Sequence, residues 1–121
     1  MAVSPALMDH GIAVVLGPYA IIDEATVREF LAQRPALSRV LAEAPARIAR
    51  LFDPGYSLRL EVFRDPESPD NSELQLLIVS CIETEAEWEE ADRRVHTLYE
   101  SWLESLPRAV TSDFLVRAEP R

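Results

Sequence analysis

Between Leu74 and Ile82 the chain carries apolar side chains on both faces of an extended segment, and this constrains its fold more than any other feature. Leu74, Leu76, Ile78 and Ile82 fall on one side; Leu77, Val79 and Cys81 fall on the other. Such a strand needs cover on each face, because apolar surface left in water costs free energy in proportion to its area. The preceding segment alternates instead, with Leu58, Leu60 and Val62 set against Arg59, Glu61 and Phe63. That is the pattern of a half-buried strand. The turn-rich stretch DPESPDNS from Asp65 joins the two segments, so they read as a β-hairpin with a long loop. A hairpin alone is marginal. Either Ile12 to Leu16, a short apolar run closed by Gly17-Pro18, or Phe114 to Val116 is expected to add a third short strand.

Helical signals flank the hairpin. Asp23 is a good N-cap, Glu24 suits the first turn, Ile22 can staple onto Val27, and Pro35 stops the segment. In ALSRVLAEAPARIARLF, the residues Leu37, Val40, Leu41, Ala44, Ile48 and Phe52 recur at three- and four-residue steps and make one apolar face. Pro45 removes a hydrogen bond inside that helix and crowds the carbonyl of Leu41, so a kink or two shorter helices are expected there. Asp53-Pro54-Gly55 then breaks the pattern. After the hairpin, Thr84 and Glu87 form a capping box, followed by a stripe of Trp88, Ala91, Val95, Leu98 and Trp102 with Tyr99 and Leu106 beside it. Both tryptophans are expected to be buried against the hairpin, with Glu89–Arg93 and Glu90–Arg94 pairs on the solvent side and Pro107 at the end.

The whole chain is read as one α+β domain over residues 1–121, with residues 1–10 loose. It has two N-terminal helices, a β-hairpin extended by a short strand, and a C-terminal amphipathic helix packed on the sheet. A length of 121 residues fits one domain, and 48% hydrophobic with 27% charged residues is a globular composition, which sets disorder aside.

Charge narrows the partners. Twenty-one carboxylates against twelve basic residues leave a net charge of −9. A phosphate backbone or an anionic membrane surface is bound by neutralising cations, so neither is expected as a partner. All twelve basic residues are arginine. Schiff-base chemistry and a P-loop lysine both need an amine, so those classes fall away. A single cysteine, Cys81, permits no intrachain disulfide, and the N-terminal segment lacks a basic stretch before its apolar run. The cytoplasm is the expected compartment.

The stretch LRLEVFRDPESPDNSELQLLIVSCIETEAEWEEADRR is similar to a pattern in small prokaryotic proteins. In those, an LxLEVxxDPE strand and turn, an apolar return strand and an EEA-type amphipathic helix succeed one another. The resemblance rests on Leu58, Leu60, Glu61, Val62, Asp65, Pro66, Glu67 and the strand from Leu74. It implies no activity, cofactor or functional residue.

Few residues suggest chemistry. Asp65, Glu67, Asp70, Asn71 and Glu73 gather oxygen ligands suited to a hard cation, but EF-hand spacing and its turn glycine are missing, and a solvated acidic turn is the plainer reading. His96 has Asp92 and Glu100 one turn away on either side, as an acid–base pair would, yet no sequence-local nucleophile accompanies it. His10 sits in the loose terminus. Cys81, in an apolar strand, reads as core. Phosphate-loop, GxSxG, HExxH and CxxC signatures are absent from the sequence. No catalytic, cofactor-binding or metal-ligating residue is assigned. The leading expectation is a non-enzymatic protein–protein interaction module that forms a homodimer or binds a basic protein partner. The alternative is a small enzyme or a ligand- or metal-binding protein using His96 or the Asp65–Glu73 loop.

Overall fold

The strand that is apolar on both faces lies inside a sheet, with a neighbour on each side. The computed structural model describes residues 12–121, leaving aside the side chains of residues 69 and 70. Its elements run α1 (12–16), β1 (Ala20–Ile21), α2 (Glu24–Ala32), α3 (Pro35–Ala49), β2 (Ser57–Asp65) and β3 (Ser68–Ser80). They continue with α4 (Glu85–Ser101), a 3-10 turn (Leu103–Ser105), α5 (Arg108–Thr111) and β4 (Phe114–Pro120). The sheet order is β1-β2-β3-β4; β2 and β3 are antiparallel, while β1 and β4 join as parallel outer strands. The chain is thus mixed α and β. The loose terminal segment and His10 of the sequence reading lie outside the described residues.

Register explains how β3 is covered. Leu58, Leu60 and Val62 stand level with Ile78, Leu76 and Leu74, which in turn stand level with Ala118, Val116 and Phe114. Most of this face joins Val27, Phe30 and Leu31 of α2, the apolar face of α3, and Leu98 and Trp102 in the main core. On the opposite face Leu77 is 0% exposed and Val79 only 9%, although neither belongs to that core. Leu77 lies in one row between Arg59 and Arg117. Their aliphatic stems can lie over it while the charged heads stay at the surface. The Arg59 guanidinium pairs with Glu119, and the Arg117 Nε donates to Gln75 Oε1 at 3.3 Å. At Leu77 and Val79 the second face is therefore closed within the chain.

Two local expectations change, and the Phe114 alternative for the added strand is met. Ile12 to Leu16 is helical: Ile12, Val15 and Leu16 pack on the core while Val14 is exposed, which is helical spacing that a five-residue apolar run does not separate from a strand. The third strand is Phe114–Pro120. The long hairpin loop shrinks to a tight turn at Pro66-Glu67, closed by the Glu67 N–H donating to Asp65 Oδ1 at 2.9 Å, with a register shift between Arg64 and Asp65. Asp at the first and Pro at the second turn position favour this geometry. Asp23 caps α2 as expected, accepting from Thr26, but Ile22 stays half exposed.

Pro45 does not break α3, which runs from Pro35 to Ala49. Proline has no N–H to offer the carbonyl four residues back, so the Leu41 oxygen loses its helical donor. The Tyr19 hydroxyl replaces it, donating to that oxygen at 2.6 Å inside the core. Burial also pushes the Tyr19 hydroxyl well above the ordinary tyrosine pKa of 10.0.

In α4 the capping box is formed on both sides. Glu90 holds Arg94 at 2.9 Å and also takes Arg93, in place of the expected Glu89–Arg93 pair. Trp102 is 3% exposed, with Arg47 5.5 Å from its ring centre. Trp88, expected to be buried, is 38% exposed. It stands in the first turn, ahead of Ala91, where contact with Ile82 and Ala118 begins.

Tyr19→Phe should cost about 1 to 3 kcal/mol, the penalty for stranding a buried carbonyl. In a Pro45→Ala background a main-chain N–H returns at position 45, so the same substitution should cost less; equal costs in both backgrounds would refute the replacement. The sign with pH follows. With the folded pKa raised, stability is complete below pH 10.0 and falls as pH climbs through the unfolded value, and Tyr19→Phe should flatten part of that alkaline loss. The tryptophans give a second test. Trp88→Phe should leave a blue-shifted emission from Trp102 alone, and Trp102→Ala should destabilise by about 3 to 5 kcal/mol in denaturant melts.

Candidate functional site

The two edges of the sheet are treated differently. On β4, the Tyr99 hydroxyl accepts the Val116 N–H at 2.9 Å and lies 3.4 Å from the Val116 oxygen, so α4 occupies main-chain groups that a further strand would use. Partial burial raises the Tyr99 pKa. Pro120, on the same outward parity as Val116, has no N–H to offer.

Among the described residues the β2 edge has only a two-residue neighbour, β1. The Ile22 N–H donates to the Leu60 oxygen at 2.9 Å, which shows that the even-numbered residues of β2 turn their main-chain groups away from β3. β1 ends at Ile21, so Val62 and Arg64 extend past it. Among the described residues no main-chain bond from outside the hairpin reaches either one. Two large apolar side chains are exposed beside this stretch, Ile22 at 51% and Phe63 at 54%. Glu61 and Asp65 flank Phe63 at every second position, and Glu73 stands opposite it on β3.

A cleft of about 440 Å³ opens between the Asp53–Tyr56 connection, the end of β3 and α4. Phe52 and Tyr56 contribute an edge-to-face aromatic pair with ring centres 6.1 Å apart. Arg94 crosses the cleft, bonded to Glu90 at 2.9 Å and Asp53 at 3.4 Å, and these carboxylates reinforce its charged form. Arg121 donates to the Gly55 carbonyl; Gly55 has φ of 112°, a conformation that favours glycine. Cys81 also lines the cleft. Expected in the core, it is exposed, because β3 ends at Ser80 and the chain turns inward only at Ile82. The Glu83 carboxylate, 3.6 Å from the thiol, raises its pKa, which opposes thiolate formation at neutral pH.

The other sequence candidates stay apart. His96 is exposed on α4 with its Nε2 2.7 Å from Glu100 Oε1, away from the cleft lining. Asp65 is engaged in its own turn, and Glu73 accepts from Gln75 at 3.1 Å. Among the described residues no three His, Cys, Asp or Glu side chains converge as metal ligands, and no helix is long and apolar enough to cross a membrane. No protein family, curated protein or solved structure matches the chain.

Thiol chemistry checks the cleft electrostatics. Cys81 should react with an aromatic disulfide reagent more slowly than a free cysteine at about pH 8, near the ordinary thiol pKa. Glu83→Gln should accelerate that reaction; an unchanged rate would show that Glu83 does not set the thiol pKa.

Proposed function

We propose that this chain is a non-enzymatic protein-interaction module, working by self-association or by binding a basic protein partner. One observation carries the reading: among the described residues the β2 edge past Ile21 is uncapped and bordered by exposed Ile22 and Phe63, while on the β4 edge Tyr99 occupies Val116. Folded chains generally block edges that have no use, because bare strand edges recruit other strands. Exposed apolar side chains beside such an edge add binding area with little bearing on stability.

A second reading, small-ligand binding, draws on the 440 Å³ cleft with its aromatic pair and two arginines. Arg94 is already paired with Glu90 and Asp53, Arg121 is engaged by the Gly55 carbonyl, and the thiol is held toward its protonated form, so the interaction reading ranks first.

The test uses Phe63→Ser and Ile22→Ser. Each should change stability by no more than about 0.5 kcal/mol, as surface substitutions do. Each should also abolish association, followed as dimer mass in light scattering or as a cross-linked partner in the native cell. Association that survives both substitutions would remove this reading.

A further inference from the structure

We infer that the β2 edge from Val62 to Asp65 receives an extended, basic segment of a protein partner as an added strand, with a Lys or Arg near Glu61 and Asp65 and an apolar residue against Phe63. This rests on the interaction reading above and names the partner's chemistry and its mode of docking.

The main chain supplies the attachment. Leu60 accepts from Ile22, so by strand alternation the N–H and C=O groups of Val62 and Arg64 point to the same outer side, where β1 no longer runs. An incoming strand would pair with those groups, while its side chains alternate between the two sheet faces. On the face away from the helices it would meet Glu61 and Phe63, with Asp65 following at the bulge. Glu73, level with Phe63 on β3, adds a further negative charge. On the helix side, Val62 packs on the core, and the exposed Arg64 alternates to the face opposite Glu61 and Phe63, away from the cations of a ligand seated on them. The segment that fits carries a cation, a spacer, an apolar residue, a spacer and a second cation.

The same charges argue against a second copy as occupant. Antiparallel pairing of two β2 edges about Phe63 would set Glu61 of one chain opposite Asp65 of the other, twice, and like charges directly opposite are destabilising. The net charge of −9 acts in the same direction.

The experiment titrates the full chain with two fluorescent peptides of equal charge, TRTVTRT and TTRVRTT. The first places both arginines on the valine side of an extended strand, and the second places them on the opposite side. TRTVTRT should bind about tenfold more tightly. Its binding should slow amide exchange at Val62 and Arg64, and the preference should vanish in Glu61→Gln/Asp65→Asn. N-methylation of the peptide amides that face β2 should abolish binding without altering the protein. Equal binding of the two peptides would reduce the effect to general attraction by an acidic chain and overturn the inference. So would exchange protection elsewhere, or no binding at all. Concentration-dependent protection of Val62 and Arg64 without peptide would assign the edge to a second copy. Should the peptides fail while Phe63→Ser still abolishes association, only the strand-addition inference falls; should both fail, the interaction reading falls with it.

Discussion

The rest of the fold follows from the double burial of β3. A strand with Leu74, Leu76 and Ile78 on one side and Leu77 and Val79 on the other needs cover on both faces, and β3 lies in the sheet interior between β2 and β4. The main helices cover the face that carries most of the apolar area. On the other face Leu77 is buried in one row between Arg59 and Arg117, whose aliphatic stems can cover it without another layer of chain. That solution has a cost. The Arg59 Nε lies buried without a hydrogen-bond partner among the described residues, while the head of the same side chain is satisfied by Glu119.

Two tyrosine hydroxyls solve main-chain problems that the secondary structure creates. Tyr19 supplies the donor that Pro45 withholds from Leu41, which lets α3 continue with its apolar face intact. Tyr99 occupies both main-chain groups of Val116 at the β4 edge. In each case the ring is at least partly buried and the hydroxyl reaches a main-chain group from another element, so packing and polar satisfaction are secured by one side chain.

Periodic segments were the legible part of the sequence. The Asp23 cap, the α3 face, the β2 alternation and the Thr84–Glu87 capping box all express local chemistry, and the structure contains each of them. What escaped was set by distance. Ile12 to Leu16 is too short for its period to distinguish helix from strand, Trp88 belongs to the stripe but stands ahead of the core, and Cys81 falls one residue past the end of its strand. The cleft joins Asp53, Cys81, Arg94 and Arg121 across most of the chain, and no local spacing announces such a set. Pro45 was legible as a problem at Leu41. Its remedy, a tyrosine twenty-two residues earlier than that carbonyl, was not.

The two edges of the sheet meet the same hazard in different ways. An uncapped edge is a hazard because it accepts any strand, including that of an identical chain. Capping removes the hazard and the binding site together, as Tyr99 does on β4. Charge separates the two consequences. On the proposed reading, Glu61 and Asp65 beside Phe63 would oppose a second copy at this edge and favour a basic chain by the same electrostatics, leaving the edge available to one class of partner. Screening over about 8 Å at physiological salt weakens the long-range part of this discrimination but leaves charges directly opposite one another within reach. Selectivity would then reside in the strand register itself, where a cation two positions from an apolar residue matches the spacing of Glu61, Phe63 and Asp65.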